Sequence, residues 1–307
     1  MTLSSTPLVS VVIATYNMDQ YVGDAIRSVQ HQSVKDLEIH VVDDGSTDKT
    51  REIVSGFLSD PRVHYHYQEN AGQTRAKNAG IALSRGTFVG FCDADDLWLP
   101  EKLALQLPYF EKSDAIGVVY TRSQPIDSTG RELPRPEFPE LSGQITERLF
   151  VENFIPFGTS LIRRDALRKH GAFNERYRMG IDWDLFLRLS VRYDFAHVPT
   201  VTYLYRIWEG QMSSNWRGRY EHAFRIMTDF VQAHPNAVPK DVVRHALAQS
   251  YANRGRARAN ISADYFGAIA DALRSVRYGQ NVYSAARLIV RCGARIIHLA
   301  YGPLDKV

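Results

Sequence analysis

Cysteine is nearly absent: Cys92 and Cys292 are the only two among 307 residues. Two thiols so placed support neither a disulfide framework nor a thiolate metal site. Long apolar runs are missing too, and no uninterrupted stretch approaches the ~18 residues of a membrane-spanning helix. Low-complexity tracts are absent, and 44% apolar against 23% charged residues is the balance of a soluble globular chain. The first residues, Met1 to Pro7, lack a basic region followed by an apolar core, so no secretory signal is expected and the cytoplasm is the default compartment. No Gly-x-Gly-x-x-Gly follows the first strand-like run and no Walker lysine appears, which weakens dinucleotide and P-loop readings.

What is present centres on Phe88-Val89-Gly90-Phe91-Cys92-Asp93-Ala94-Asp95-Asp96. The apolar half reads as a strand covered on both faces, and it runs straight into three carboxylates. Such groups are costly to bury unpaired, so they belong at an edge near water or a cation. Asp93 and Asp95 are two apart, which brings both to one locus in an extended segment. Their hard oxygens suit Mg²⁺ or Mn²⁺ with substrate phosphates completing the shell. A solvated acidic turn is the plainer account of the same residues.

Before that stretch the chain alternates. Val9 to Ala14 reads as a strand, Tyr21 to Gln30 as an amphipathic helix, and Leu37 to Val42 as a strand that runs into Asp43 and Asp44. A helix over Arg51 to Leu58, a strand over Val63 to Tyr67 and a helix over Thr74 to Leu83 follow. Strands and helices alternating with short connections predict an α/β fold with a mostly parallel sheet between helices. Thr15 to Asn17, Asp43 with Asp44, and Asp93 with Asp95 collect at the carboxyl ends of strands, where open α/β sheets bind ligands.

After Pro100 a helix is expected to about Lys112 and a strand over Gly117 to Thr121. Ser123 to Gly143 reads as a long irregular loop over the site. Ser160 to Arg163 is expected to return as a strand, and Asp165 to His170 as a short helix. Asp182-Trp183-Asp184-Leu185 opens a further helix, and Asp182 there can simply cap exposed amides. His197 to Tyr205 reads as a strand, and from about Arg219 the pattern is helical, with candidates over 220–233, 241–259, 264–278 and 283–300.

Charge is uneven. From Asn215 onward there are 14 Lys/Arg against 6 Asp/Glu, a balance of +8, whereas the first 214 residues carry −5. Arg287, Arg291 and Arg295 recur at every fourth position, with Leu288, Ile289, Ile296, Ile297 and Leu299 elsewhere on the same helix. That is the pattern of an interfacial amphipathic helix meeting an anionic membrane, and equally of an ordinary helix packed on its neighbours. The arginines have no interleaved aromatics and no reader motif accompanies them, so nucleic acid is not an expected partner.

The ordered blocks Val9 to Asn17, Val42 to Asp48, Asn70-Ala71-Gly72 with Lys77 to Gly80, Asp93 to Asp96, Asp182 to Leu185 and Tyr205-Arg206 resemble the inverting family 2 glycosyltransferases of GT-A fold, over roughly 7–214. The resemblance implies a GT-A domain at 1–214, with a nucleotide half at 7–113 and an acceptor half at 114–214, and a basic α-helical extension at 215–307. It implies that Thr15 and Tyr16, with the adjoining Asn17, frame the nucleoside of a donor, commonly a uridine diphosphate sugar. Asp43 or Asp44 would accept from base or ribose, and Arg75 or Lys77 would approach the diphosphate. Asp93 would touch ribose or metal, Asp95 would ligate Mn²⁺ or Mg²⁺, and Asp182 takes the position of the catalytic base.

Two departures stand out: Ile181 where the family commonly has Glu, and Trp208 where a His often follows the Tyr-Arg pair. The expected function is metal-dependent, inverting sugar transfer to a hydroxyl of a glycan or lipid-linked glycan, on the cytoplasmic side of the cell membrane. The loops over 123–143 and 154–158 would set acceptor and linkage. A sugar-nucleotide-binding or assembly protein without catalysis, hinted at by Ile181 and Trp208, and a sugar-phosphate nucleotidyltransferase are the alternatives. The latter would be expected to carry a Gly-rich loop that Ala14 to Asn17 does not provide.

Overall fold

The computed structural model describes residues 6–212, 215–279 and 282–301. The chain forms two compact units, residues 1–145 with 153–212 and residues 146–152 with 213–307. The expected division at residue 214 and the side chain of Ile297 lie outside the described residues.

In the first unit the elements run β1 (Val9–Thr15), α1 (Val22–Gln30), β2 (Leu37–Asp43), α2 (Thr50–Ser55), β3 (Val63–Tyr67), α3 (Gln73–Leu83) and β4 (Phe88–Phe91). The next are β5 (Leu97–Trp98), α4 (Lys102–Glu111) and β6 (Ile116–Ile126). After α5 (Thr146–Val151), which belongs to the other unit, come β7 (Leu161–Arg163), α6 (Arg164–His170), α7 (Ile181–Ser190) and β8 (Asp194–Arg206). One sheet has the order β3-β2-β1-β4-β7-β6-β8-β5. The first four strands are parallel, as is β6 with β8, while β7 and β5 join antiparallel.

Burial explains the strand choice. All seven residues of β2 and nearly all of β1 are inaccessible, as two-sided coverage requires. Val9, Val11, Ile13, Ile39 and Val41 pack with Val22, Ile26 and Val29 of α1 in a single core. On the other face α3 comes close to β1 at Gly80, where an added Cβ would meet Val12 at 2.3 Å. Only glycine permits that approach. The buried Glu38 of β2 accepts from Ser10 Oγ at 2.6 Å and from the Arg85 amide at 2.7 Å.

Three features differ from the sequence expectation. β6 continues to Ile126 because its pairing with β8 extends to Ile126–Arg206, through register shifts near Arg122. The loop over the site therefore begins at Asp127 and ends near Gly143, which pairs with Phe195. β5 has two residues, too few for periodicity to show. α5 emerges from a segment whose apolar residues, Leu149 and Phe150, pack in the second unit, where Phe150 meets Phe230 at 5.7 Å.

The second unit contains α5, α8 (Trp216–Ala233), α9 (Lys240–Ile261), α10 (Tyr265–Arg277) and α11 (Val282–Tyr301). Small residues let α9 and α10 approach closely: a Cβ at Gly255 would lie 3.1 Å from the Ala268 carbonyl. Asp271 is fully buried there and accepts from Arg254 at 2.7 and 2.8 Å. Leu288 and Cys292 of α11 are buried against Ala268 and Ala272, with Ile289 packed alongside. Those apolar side chains thus face the core rather than solvent. The outward stripe of α11 is formed instead by Tyr283 and Val290, 70% and 71% exposed, beside the exposed Arg287, Arg291 and Arg295. No helix among the described residues is long and apolar enough to cross a membrane.

Candidate active site

The carboxylates following β4 lie at the carboxyl end of the parallel strands. Asp93 Oδ1 accepts from Lys77 Nζ at 2.8 Å, and this lysine, on α3, is almost fully buried with its ammonium 4.4 Å from the centre of the Phe157 ring. Asp95 Oδ2 accepts from the indole Nε1 of Trp208 at 2.8 Å. Burial pushes the Asp95 carboxyl upward, as does the neighbouring Asp93 charge, while the indole hydrogen bond and Lys77 oppose the rise. Asp96 points inward, 1% exposed, and accepts from Tyr203 Oη at 2.6 Å and from the Arg206 amide at 2.7 Å. Burial and the charges of Asp95 and Asp93 push it well up.

Arg206 joins the Asp95 turn to the loop after β6. Its Nε donates to the Asp95 carbonyl at 2.8 Å, and its Nη1 donates to the carbonyls of Asp127 and Ser128 at 3.3 and 3.2 Å. Its guanidinium lies over Tyr21 at 4.7 Å, and Tyr21 also meets the Trp208 ring at 5.7 Å.

Asp182 opens α7 behind Gly180, whose φ of +68° is the left-handed conformation glycine adopts without strain. Its Oδ2 accepts from Asn153 Nδ2 at 2.8 Å. Desolvation raises the carboxyl above the usual aspartate value, against the Asn153 hydrogen bond and the positive charge of Lys77. The Lys77 ammonium therefore bears on Asp93, Asp95 and Asp182 together. Asp184 faces elsewhere: Arg188 Nε donates to it at 3.0 Å, and the same guanidinium binds the carbonyls of His170, Gly171 and Ala172.

The residues expected to frame a nucleoside meet across the ends of β1 and β2, where Thr15 pairs with Asp43. Thr15 Oγ1 is buried without a hydrogen-bond partner, while Tyr16 is 46% exposed beside it. Asn17 has φ +51°, and it is held by Ser46 Oγ, which accepts its amide, and by Thr47, whose amide donates to Asn17 Oδ1. Asp43 accepts from the Ser46 amide and Tyr65 Oη, at 2.8 and 2.6 Å. Asp44 accepts from the amides of Ala71 and Gly72 and from Gln68, at 2.7–2.9 Å. Both carboxylates are engaged in shaping the loops around the cleft. Arg75 turns away from the lysine side of α3 and pairs with Glu175 at 2.9 Å on the surface, so Lys77 is the cation that reaches the acidic cluster.

Residues 10–171 match the model of glycosyl transferase family 2. The chain belongs to this family. The chondroitin synthase of Escherichia coli is 32% identical over 216 residues, 69% of this chain and 31% of that protein. The hyaluronan synthase of Pasteurella multocida is 31% identical over 66% of this chain and 20% of its own length. The chain thus spans about a third or less of these relatives. Among solved structures, S. aureus TarS 1-349 in complex with UDP-GlcNAc superposes with TM-score 0.68 at 19% identity, covering 95% of this chain and 91% of that one. The Pyrobaculum calidifontis mannosyltransferase PcManGT in complex with GDP-Man and Mn²⁺ gives TM-score 0.56 at 19% identity over 98% and 82%. The fold is the GT-A fold of this glycosyltransferase family.

Against the family pattern, the two departures acquire structural meaning. Ile181 is 3% exposed and packs inward, so the position before Asp182 supplies no second carboxylate. Trp208 does not leave a gap; its indole replaces a basic ring as a neutral donor to Asp95. Sequence reasoning missed Asn153, Tyr203 and the Trp208–Asp95 bond. A lone Trp two residues after Tyr205-Arg206 was the available signal for the last; Asn153 lies in a loop with none.

Proposed function

We propose that the chain is an inverting glycosyltransferase that moves a sugar from a nucleoside diphosphate sugar, a uridine one, to a hydroxyl of a glycan or lipid-linked glycan. The observation that carries this reading is the convergence of Asp93, Asp95 and the raised Asp182 carboxyl on the buried ammonium of Lys77. UDP-GlcNAc in TarS supports uridine, and GDP-Man with Mn²⁺ in PcManGT supports a divalent cation.

Asp182, oriented by Asn153, takes the proton of the acceptor hydroxyl as it attacks the anomeric carbon from the face opposite the leaving group. One base and no covalent intermediate give inversion. A raised basicity suits that task, because an ordinary aspartate is too weak a base near neutral pH. Lys77 offsets negative charge gathering on the departing diphosphate. Thr15 Oγ1, buried and unpartnered, is suited to a donor hydroxyl or base edge, and the exposed Tyr16 ring to stacking.

The donor set fits a hard cation. Among the described residues no group of three or more His, Cys, Asp or Glu is arranged to hold a metal, so donor phosphates would complete any shell begun by Asp95 and Asp93. Held there, Mn²⁺ or Mg²⁺ would act as Lewis acid on the leaving diphosphate.

The second unit carries the membrane part of this proposal. Tyr283 and Val290 with Arg287, Arg291 and Arg295 present an apolar stripe edged by positive charge, suited to an anionic bilayer surface. Anionic lipids concentrate on the cytoplasmic leaflet, which accords with action at the inner face of the membrane.

Nucleoside diphosphate release from a panel of UDP-, GDP- and dTDP-sugars with Mn²⁺ tests the enzyme reading. Release from a UDP-sugar that Asp182→Asn abolishes supports it. Binding with no release by the wild type points to a non-catalytic binding protein, and pyrophosphate release to a nucleotidyltransferase.

A further inference from the structure

Two loops of the first unit close around a cavity of about 320 Å³, at the lower end of the ~300–1,000 Å³ typical of small-molecule sites. Tyr120 and Phe154 form its apolar wall, Phe138 its rim, and Arg122, Glu140 and His197 its polar side. The loop over it is held at both ends. The Leu133 amide donates to the Pro125 carbonyl at 2.9 Å and Gln124 Nε2 donates to the Leu133 carbonyl at 2.7 Å, Tyr120 Oη bonds both polar backbone groups of Leu141 at 2.8 and 3.0 Å, and Gly143 pairs with Phe195. Between these anchors Pro134, Pro136 and Pro139 restrict the arch, so little ordering remains to be done when something binds beneath it.

The other wall connects directly to the candidate base. Asn153 bonds Asp182, Phe154 and Pro156 line the cavity, and Phe157 lies under the Lys77 ammonium. One short segment, 153–157, is therefore shared between the cleft and the cavity. The lining combines aromatic faces with a guanidinium–carboxylate pair, Arg122 Nη2 to Glu140 at 2.6 Å. Its fixed charges balance, with Arg122 and Arg135 against Glu137 and Glu140, while desolvation holds His197 toward its neutral form. The exposed Phe138 ring can take the C–H face of a pyranose, and a paired Arg and carboxylate offer donors and acceptors to its hydroxyls.

We propose that this cavity binds the acceptor sugar next to the one attacked, so that the acceptor is an oligosaccharide of at least two sugars rather than a monosaccharide or a simple alcohol. The inference rests on the glycosyltransferase reading, since only then does Asp182 mark where the attacked sugar lies. Asn153, which bonds Asp182, is followed directly by Phe154 of the cavity wall, so the cavity adjoins the base.

An immobilised set of bacterial surface glycans, from mono- to octasaccharides, tests it with full-length protein loaded with UDP and Mn²⁺. The expected result is binding of oligosaccharides at least about tenfold tighter than of the matching monosaccharides, weakened about tenfold by Phe138→Ala. Phe138 is 42% exposed, so its truncation leaves the core intact. Arg135→Ala, at an exposed position on the same rim, provides the second variant. Equal binding of mono- and oligosaccharides, binding indifferent to both variants, or no glycan bound by protein that does bind UDP, overturns the cavity assignment. Failure to bind UDP at all is a different result: it strikes the glycosyltransferase reading itself.

Discussion

Asp182 and Asp184 are two residues apart on α7, so they point about 200° from each other around its axis. The structure gives them the partners that separation implies, Asn153 for the first and Arg188 for the second. Asp182→Asn should leave UDP affinity near wild type and lower turnover by at least the ~10²-fold of a lost general base. Because burial raises the Asp182 carboxyl, the acidic limb of kcat/KM should lie above the ordinary aspartate value of 3.8, with activity falling as pH drops through it. The limb should vanish in whatever activity Asp182→Asn retains. Asp184→Asn should instead cost about 1.5–3 kcal/mol of stability by thermal or urea unfolding, the usual loss for a hydrogen bond to a charged group. A folded, UDP-binding Asp184→Asn protein with no transfer, beside an active Asp182→Asn, would exchange the two assignments. Trp208→Phe keeps the ring and deletes the N–H that holds Asp95, and should weaken Mn²⁺-dependent UDP binding about 10-fold, as loss of an outer-shell partner does. These two carboxylates were separable from sequence because helical geometry is periodic. The Trp208 bond was not, since it joins residues 113 positions apart.

At the scale of elements, β2 and β3 carry a cluster the catalytic reading does not use. His40 Nδ1 lies 3.1 Å from His66 Nε2, its ring stacks on His64, and its Nε2 is 3.2 Å from Glu38. Burial acts to raise the Glu38 carboxyl, but hydrogen bonds from His40, Ser10 and Arg85 outweigh it and hold the group well below its usual 4.5. Burial, then repulsion from His40, lowers His64 and His66 below 6.5. The signs agree. A depressed histidine is neutral in the fold while the unfolded chain begins to protonate near 6.5, and a depressed Glu38 loses its contribution below about 4.5. The contribution of this cluster should therefore be full above pH 6.5 and decline as pH falls, first through the histidines and then through Glu38. Melting temperatures from pH 8 to 4 check this, and His64→Gln with His66→Gln should flatten the upper part of the decline.

The helices of the second unit show how far periodicity reaches. The recurrence of Arg287, Arg291 and Arg295 marked one face of α11 correctly, yet Leu288 and Ile289 turned inward. Apolar residues occur on both sides of this helix, and only the packing of α10 decides which side is solvent-facing. Co-sedimentation with vesicles containing phosphatidylserine should show binding that weakens with salt. Val290→Glu should reduce it. No binding at low ionic strength would leave the stripe as a protein-contact surface.

At the scale of the whole molecule, alternation of β-rich runs and amphipathic helices made the parallel half of the sheet legible from Val9 to Phe91. β2 follows β1 and β3 follows β2 after one helix each, and β4 then returns to the other edge of β1. The second half was less so: β7 enters between β4 and β6 by antiparallel pairing, and β5 is two residues long. Long-range pairing leaves no local period to read. Much of the candidate site was legible as a cluster because it sits at strand ends, where a change from apolar to acidic residues is itself the signal. Its supports, Asn153, Tyr203 and Trp208, come from distant segments and needed the fold. If these parts form a metal-dependent donor site, titration calorimetry of UDP reads it out. Wild-type protein with Mn²⁺ should bind UDP, with affinity falling at least about tenfold on chelation and in Asp95→Asn. Equal affinity with and without chelator, together with an unaffected Asp95→Asn protein, would contradict it.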